Sequence, residues 1–136
     1  MTEPIFVLTL PLELAPTLNT YCNMQTWQRQ KVRTTIDELI RKEIAFLLLA
    51  NGCILAPFMA RGAKRKVVVT RFSSSEPDEY ACDILGAKLP IDCLVRAGLL
   101  AGDSRKHLVR EARWIKSRPK EGKLVVEIYE IESESV

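Results

Sequence analysis

The stretch from Asp78 to Asp103, DEYACDILGAKLPIDCLVRAGLLAGD, concentrates the side chains with the clearest chemistry. It opens with Asp78, Glu79 and Asp83, carries Lys88 within a helix-like segment, and closes with Asp103 just after the Ala97-Gly98 helix stop. Carboxylates at both ends of a short helical segment, with a lysine between them, could fold back around a cation bound to phosphate. The same residues read as an acidic loop, a helix and another loop if the carboxylates are simply solvated.

Positive charge supplies the second kind of chemistry. The formal net charge of +3 hides an uneven layout. Between Arg105 and Lys123 lie eight basic residues (Arg105, Lys106, Arg110, Arg113, Lys116, Arg118, Lys120 and Lys123) against Glu111 and Glu121. Arg61, Lys64, Arg65, Lys66 and Arg71 form another cluster, and the tail from Glu127 onward is acidic. Such patches can neutralise a phosphate backbone, and Arg65, Lys66, Arg71, Arg105, Lys106, Arg110, Arg113 and Lys116 are the candidate contacts. A solvated hairpin and a solvated loop would carry the same charges.

These residues have to be positioned by a small set of elements. Ile5 to Leu10 is an apolar, partly β-branched run ending at Pro11, which suits a strand. Glu13 to Asn23, with Pro16 and two asparagines, reads as an ordered loop. From about Thr26 the spacing becomes helical, with Val32, Ile36, Leu39, Ile40, Ile44, Leu47 and Leu48 on one face and favourable pairs of Asp37 with Arg41 and Glu38 with Lys42. Asn51-Gly52 stops that helix. Lys66 to Phe72 is a strand by its β-branched content, followed by a turn or loop over Ser73 to Pro77.

A second helix is expected between Asp83 and Ala97, with Asp83 as N-cap and Gly98 as the stop. Pro90 requires either a kink or a regular helix that begins near Leu89. Leu108 to Ile115 and Leu124 to Ile131 flank a polar turn containing Gly122 and read as a hairpin or adjacent strand pair. The expected fold is mixed α/β (α+β) in the order β-α-β-α-β-β, a single domain over residues 1–136 with about four strands in a mixed sheet and two helices.

Length and composition agree with that expectation. A chain of 136 residues, 47% hydrophobic and 27% charged, is large enough to bury its own core. Its longest purely apolar run, Ile44 to Ala50, is too short to cross a bilayer, and the N-terminus lacks the pattern of a signal peptide, so no membrane partner and a cytoplasmic location are expected. Cys22, Cys53, Cys82 and Cys93 include no C-x-x-C pair and there is one histidine, which argues against a zinc site or a disulfide framework.

Taken in order, these segments resemble the RusA-type Holliday junction resolvases, small phage-associated endonucleases, along nearly the whole chain. LTLPLELAPTLNTYCNMQTWQRQK is similar to the family's opening strand, proline-rich loop and Met-x-x-Trp entry to a basic first helix. VTRFSSS, the acidic cluster and GAKLPIDCLVRAGLLAGDSRKHL resemble its central strand and its D-x-D-N…K…D-x-L…A-G…D-D segment. The basic strand, Lys/Gly turn and LVVEIYEIE resemble its closing strands. The resemblance implies a homodimer that cuts four-way branched DNA with Mg²⁺.

Residue by residue, Asp103 falls on the second aspartate of the late D-D pair and Lys88 on the helix lysine, while Asp92 reads as structural, pairing with Arg96. The central motif departs: counting straight back from Lys88 puts Tyr80, Ala81 and Cys82 where Asp, Asp and Asn are expected. A small insertion would instead let Asp78 or Glu79 join Asp83. Gly102 stands where the family has the first member of its late pair.

Mg²⁺ takes near-octahedral oxygen ligands, usually one or two carboxylates plus phosphate and water, and a lysine can steady the scissile phosphate. The resemblance therefore implies Asp83, Asp103 and Lys88 as catalytic residues and Asp78, Glu79, Asp83 and Asp103 as metal ligands. Two functions stay open: an active junction-resolving nuclease, or a non-catalytic relative that binds DNA or protein. Carboxylates within about 4 to 5 Å of one another, the span a shared Mg²⁺ permits, favour the first, and an Asp83 turned away from Asp103 favours the second.

His107 reads as a surface residue next to phosphate rather than a general base. Trp27 and Trp114 read first as core, with base stacking as the alternative, and Cys82 and Cys93 as small packing residues. Ala45 to Leu55 (AFLLLANGCIL) is more hydrophobic than one buried face requires, so part of it, or Leu99 and Leu100, is a candidate dimer interface, against the alternative that it is core.

Overall fold

The computed structural model describes residues 3–131. Its strands are β1 (Phe6–Pro11), β2 (Arg65–Ser73), β3 (Leu108–Lys116) and β4 (Lys123–Glu130), and its helices are α1 (Leu18–Cys22), α2 (Thr26–Ala50) and α3 (Lys88–Arg96). Together they make a mixed α+β fold with one four-stranded mixed sheet in the order β1-β4-β2-β3. β4 runs antiparallel to both neighbours, and β2 and β3 run parallel through the α3 crossover.

Alternation decides which face of the sheet is covered. Along β1, Phe6, Leu8 and Leu10 are buried while Val7, Thr9 and Pro11 are exposed, the period-two signature of a strand with one packed face. Strand register puts these inward residues on the same face as Leu124, Val126, Ile128, Val67 and Val69. Ile36 and Ile40 of α2 and Leu89, Ile91, Cys93 and Leu94 of α3 complete that core. Cys82 and Cys93 are buried in it, as packing residues should be, and burial pushes their thiols up to about 11 and about 12.

The expected loop over Glu13 to Asn23 is partly helical: a 3-10 turn spans Leu12–Leu14 and α1 spans Leu18–Cys22. Pro16 falls between the two, where it interrupts neither. The expected pairing of the last two strands is also corrected. β2 lies between β3 and β4, because a strand returning from a helical crossover pairs in parallel with its predecessor and leaves the other edge of β2 for β4.

The second helix begins at Lys88, with Ala87 and not Asp83 at its N-cap. Pro90 then sits in the first turn, where a missing N–H removes no intrahelical bond. Its ring would clash with a helical carbonyl four residues back, but Gly86 is outside the helix at φ 104. α2 ends as expected at Asn51-Gly52, with Gly52 and Cys53 both left-handed. Asp37 pairs with Arg96 of α3 rather than with Arg41 on its own helix, which leaves Asp92 to pair with Lys88 at 3.8 Å and not with Arg96.

Candidate functional site

Parallel pairing of β2 and β3 brings the starts of both strands to one end of the sheet, where the Arg65 amide donates to the His107 carbonyl. The segment before β2 therefore meets the loop before β3. Lys64, Asp103, Ser104, Arg105, Val109 and Arg110 line a cleft of about 640 Å³ at this junction. Three cations and one carboxylate, Asp103, share that lining. Lys64 was part of a basic cluster but not among the candidate contacts, because only the parallel register reveals that it faces Arg105 and Arg110.

Arg110 is the hub of this region. One terminal nitrogen of its guanidinium lies 3.4 Å from Asp83 Oδ1, and the other donates to the Asp103 main-chain carbonyl. The loop bearing Asp83 lies across the edge strand, with the Cys82 thiol 3.6 Å from the Glu111 carbonyl. Asp83 and the Asp103 backbone are thus brought to one guanidinium. Lys88 is engaged with Asp92, and Asp78 and Glu79 are exposed and form no ion pair among the described residues.

A divalent cation held by Asp78 or Glu79 with Asp83 and Asp103 needs those carboxylates to converge. Among the described residues no group of three or more His, Cys, Asp or Glu side chains is arranged to hold a metal ion. With Asp83 turned to Arg110, these residues do not fit a preformed Mg²⁺ site. Gly102 has His107 packed over it: a Cβ there would lie 3.0 Å from His107 Nδ1.

The basic candidates fall into three groups. Arg65 is 4% exposed and donates to the carbonyls of Phe58, Leu99 and Met59 at 2.5, 2.7 and 3.1 Å, so it is a structural clamp and not a phosphate contact. Its four-atom stem crosses the apolar interior and its fork replaces water with carbonyls. Arg71 is half-buried: one of its nitrogens donates to the carbonyls of Ala15 and Leu85, so it is anchored away from the basic margin, but its guanidinium still lines a cleft at the far end of β2. Burial lowers the pKa of both.

Lys66 and Arg113 share Glu111 on the uncovered face of the sheet, and together they hold that carboxyl below the usual carboxylate range. Strand alternation places Arg110 and Lys116 on the opposite face from Arg113, since they align with Val67 and Ser73 of β2. Arg105, Lys106 and Lys116 are exposed, and with Arg110 they form a basic margin along the edge strand. Trp114 is half-buried and donates from Nε1 to Ser73 Oγ at 2.8 Å, whereas Trp27 departs from the core expectation: it is 63% exposed at the start of α2.

Leu99 and Leu100 are fully buried and are not available to a partner. The end of α2 and the turn after it differ, since Phe46, Leu49, Ile54 and Leu55 are exposed, Leu49 at 74%. No helix among the described residues is long and apolar enough to cross a membrane. No protein-family model matches the chain, and no curated protein matches it either.

Proposed function

We propose that this chain is a RusA-like DNA-binding module that engages the phosphates of branched DNA through its edge strand, and that it does so as a homodimer. The observation that carries this reading is the cleft lined by Lys64, Arg105 and Arg110 together with Asp103. Three cations against Asp103 in the cleft and Asp83 on Arg110 leave a net positive balance, and exposed lysine and arginine heads exchange their counterions for phosphates. Lys106 and Lys116 extend that margin along β3. A two-fold pair of such surfaces matches the geometry of a four-way junction, and the exposed leucine and phenylalanine side chains at the end of α2 are the surface such a pair would bury.

Mg²⁺-dependent cleavage of four-way junctions is the second reading: Asp83 and the Asp103 backbone lie in one neighbourhood around Arg110, and an ion bound there would have to displace that guanidinium from Asp83. One experiment separates them. A synthetic four-way junction and a linear duplex of the same composition are titrated with the protein across a salt series, then incubated with and without Mg²⁺ and run on a denaturing gel. The binding module predicts tighter binding of the junction, a steep loss of affinity with salt and intact strands. Cut strands that require Mg²⁺ would replace it with the nuclease, and equal, salt-insensitive binding of both DNAs would remove both.

A further inference from the structure

The opposite end of β2 carries a second constellation. β2 is nine residues long, which puts its ends roughly 25 Å apart at the rise of a strand. Here β2 and β3 both terminate, and Arg71 reaches out of β2 into a cleft of about 390 Å³ lined by Leu12, Thr17, Ser73, Ser74, Ser75 and Glu76, among others. β2 and β3 are the parallel pair of this mixed sheet, and the crevice lies beyond their carboxyl ends, the side on which open α/β sheets bind ligands.

The Arg71 guanidinium is fixed in place. Its Nη1 donates to the carbonyls of Ala15 and Leu85 at 2.9 and 2.8 Å, and a Cβ on Gly86 would lie 2.9 Å from that same nitrogen and 2.3 Å from the Ala15 carbonyl oxygen. Two chain segments therefore close on one side of the fork. Nε and Nη2 make no hydrogen bond among the described residues, and no carboxylate lies within ion-pairing distance. A partly desolvated cation without a partner is costly, and an oxyanion matches the donor geometry that remains.

We propose that this cleft binds a phosphate group, with Arg71 as its fixed fork and the Ser74 and Ser75 hydroxyls as further donors. An adjoining cleft of about 490 Å³ shares Ser74 and Pro119 with the first and adds Lys116 and Arg118. Glu76 lines the first cleft and Glu121 the second, and the Glu76 carboxylate accepts from the Tyr80 hydroxyl. Three cations against two carboxylates leave a modest positive balance. That balance suits a phosphate group, either the singly charged phosphodiester of a strand or a terminal phosphate on a small molecule.

The test is a titration of the full-length protein followed by NMR on the Arg71 Nε–H signal and the amides of Ser74 to Glu76. Inorganic phosphate, a deoxynucleoside monophosphate and a short single-stranded oligonucleotide are the three ligands. Saturable shifts in the millimolar range or below are expected, weakened about tenfold or more by Ser75→Asp, which puts a like charge at the mouth of the cleft. Ser74→Asp is the second variant, and an unchanged melting temperature qualifies either one. Saturation by the oligonucleotide at lower concentration than by the other two identifies a strand as the source, and the reverse order identifies a free phosphate. No saturable shift at Arg71 with any of the three, or shifts that both variants leave unchanged, would overturn the site.

Discussion

Arg110 holds Asp83 across the edge of the sheet, Nη1 to Oδ1 at 3.4 Å, while its other terminal nitrogen takes the Asp103 carbonyl. Both side chains of the pair are about a third exposed, so the attraction is screened and modest. Its main effect is on partners: a guanidinium already facing a carboxylate presents less charge to a phosphate.

Asp83→Asn should therefore tighten junction binding, by roughly threefold, the scale of an exposed ion pair. Asp103→Asn should leave binding intact or tighter, because it removes a negative charge from the cleft that Lys64, Arg105 and Arg110 line, and should abolish any Mg²⁺-dependent cleavage. Fluorescence anisotropy against a labelled junction reads the first effect and a denaturing gel the second. Weaker binding by Asp83→Asn would mean that the carboxylate orders Arg110 for DNA rather than competing with it.

Surface and interior arginines should separate cleanly. Neutralising Arg105, Arg110 and Lys116 together should lower the slope of log affinity against log salt by about three. Arg65→Met should leave that slope alone but cost about 3 kcal/mol of folding stability, because three carbonyls lose a charged donor. Chemical denaturation beside the salt series measures both, and a change of slope with Arg65→Met would contradict its structural role.

Gly102→Asp would place a second carboxylate beside Asp103. His107 is partly exposed and can move the few tenths of an ångström that the new Cβ needs, so the expected cost in stability is below about 1 kcal/mol. Junction binding should weaken without Mg²⁺ and recover when it is added, since the ion would neutralise the added charge. Binding titrations with and without the metal check this, and the same weakening under both conditions counts against ion binding there.

Assembly should depend on the end of α2. The unmodified chain is expected to be dimeric by sedimentation equilibrium at micromolar concentration, and Phe46→Glu with Leu49→Glu should leave a folded monomer. A monomer before substitution, with or without junction DNA, would remove the two-fold arrangement from the proposed function.

Alkaline pH should loosen the core through its two thiols. Cys82 and Cys93 titrate near 11 and 12 when folded, above the ordinary thiol value, so the folded chain keeps protons that the unfolded chain has lost. Their contribution is whole below the ordinary value and is lost as pH rises through that window. The urea midpoint should accordingly be lower at about pH 10 than at about pH 8, and Cys93→Val should flatten the difference.

Local pattern was enough wherever local physics decides. The apolar spacing from Val32 to Leu48 and the Asn51-Gly52 stop fix α2, and the β-branched run after Lys66 fixes β2. Pairing is not local. Leu108 to Ile115 and Leu124 to Ile131 look like a hairpin because they are close in sequence, and nothing in either run says that β2 offers both of them an edge. Side-chain destination is not local either. Arg65 and Arg71 count as surface charge in a basic cluster, yet their acceptors include the Leu99, Ala15 and Leu85 carbonyls, which only the tertiary fold brings near, beside the adjoining turn at Phe58 and Met59. Asp83 was visible as a chemically loaded residue; that its partner is Arg110, and not a metal with Asp78 or Glu79, depends on how the loop crosses β3.

The strand order also sets a timetable for folding. Among the described residues β4 is the only neighbour of β1, and Phe6 pairs with Ile128 across nearly the whole described chain. A chain emerging in order can assemble the β2-α3-β3 unit early, but its first strand has no partner until its last one is made. Until then the apolar side of β1 and both open flanks of the half-built sheet are exposed, the condition in which chains pair with one another. The late insertion of β4 makes closure of the sheet all-or-none, so losing even a few residues of β4 would free β1 rather than merely fray one end.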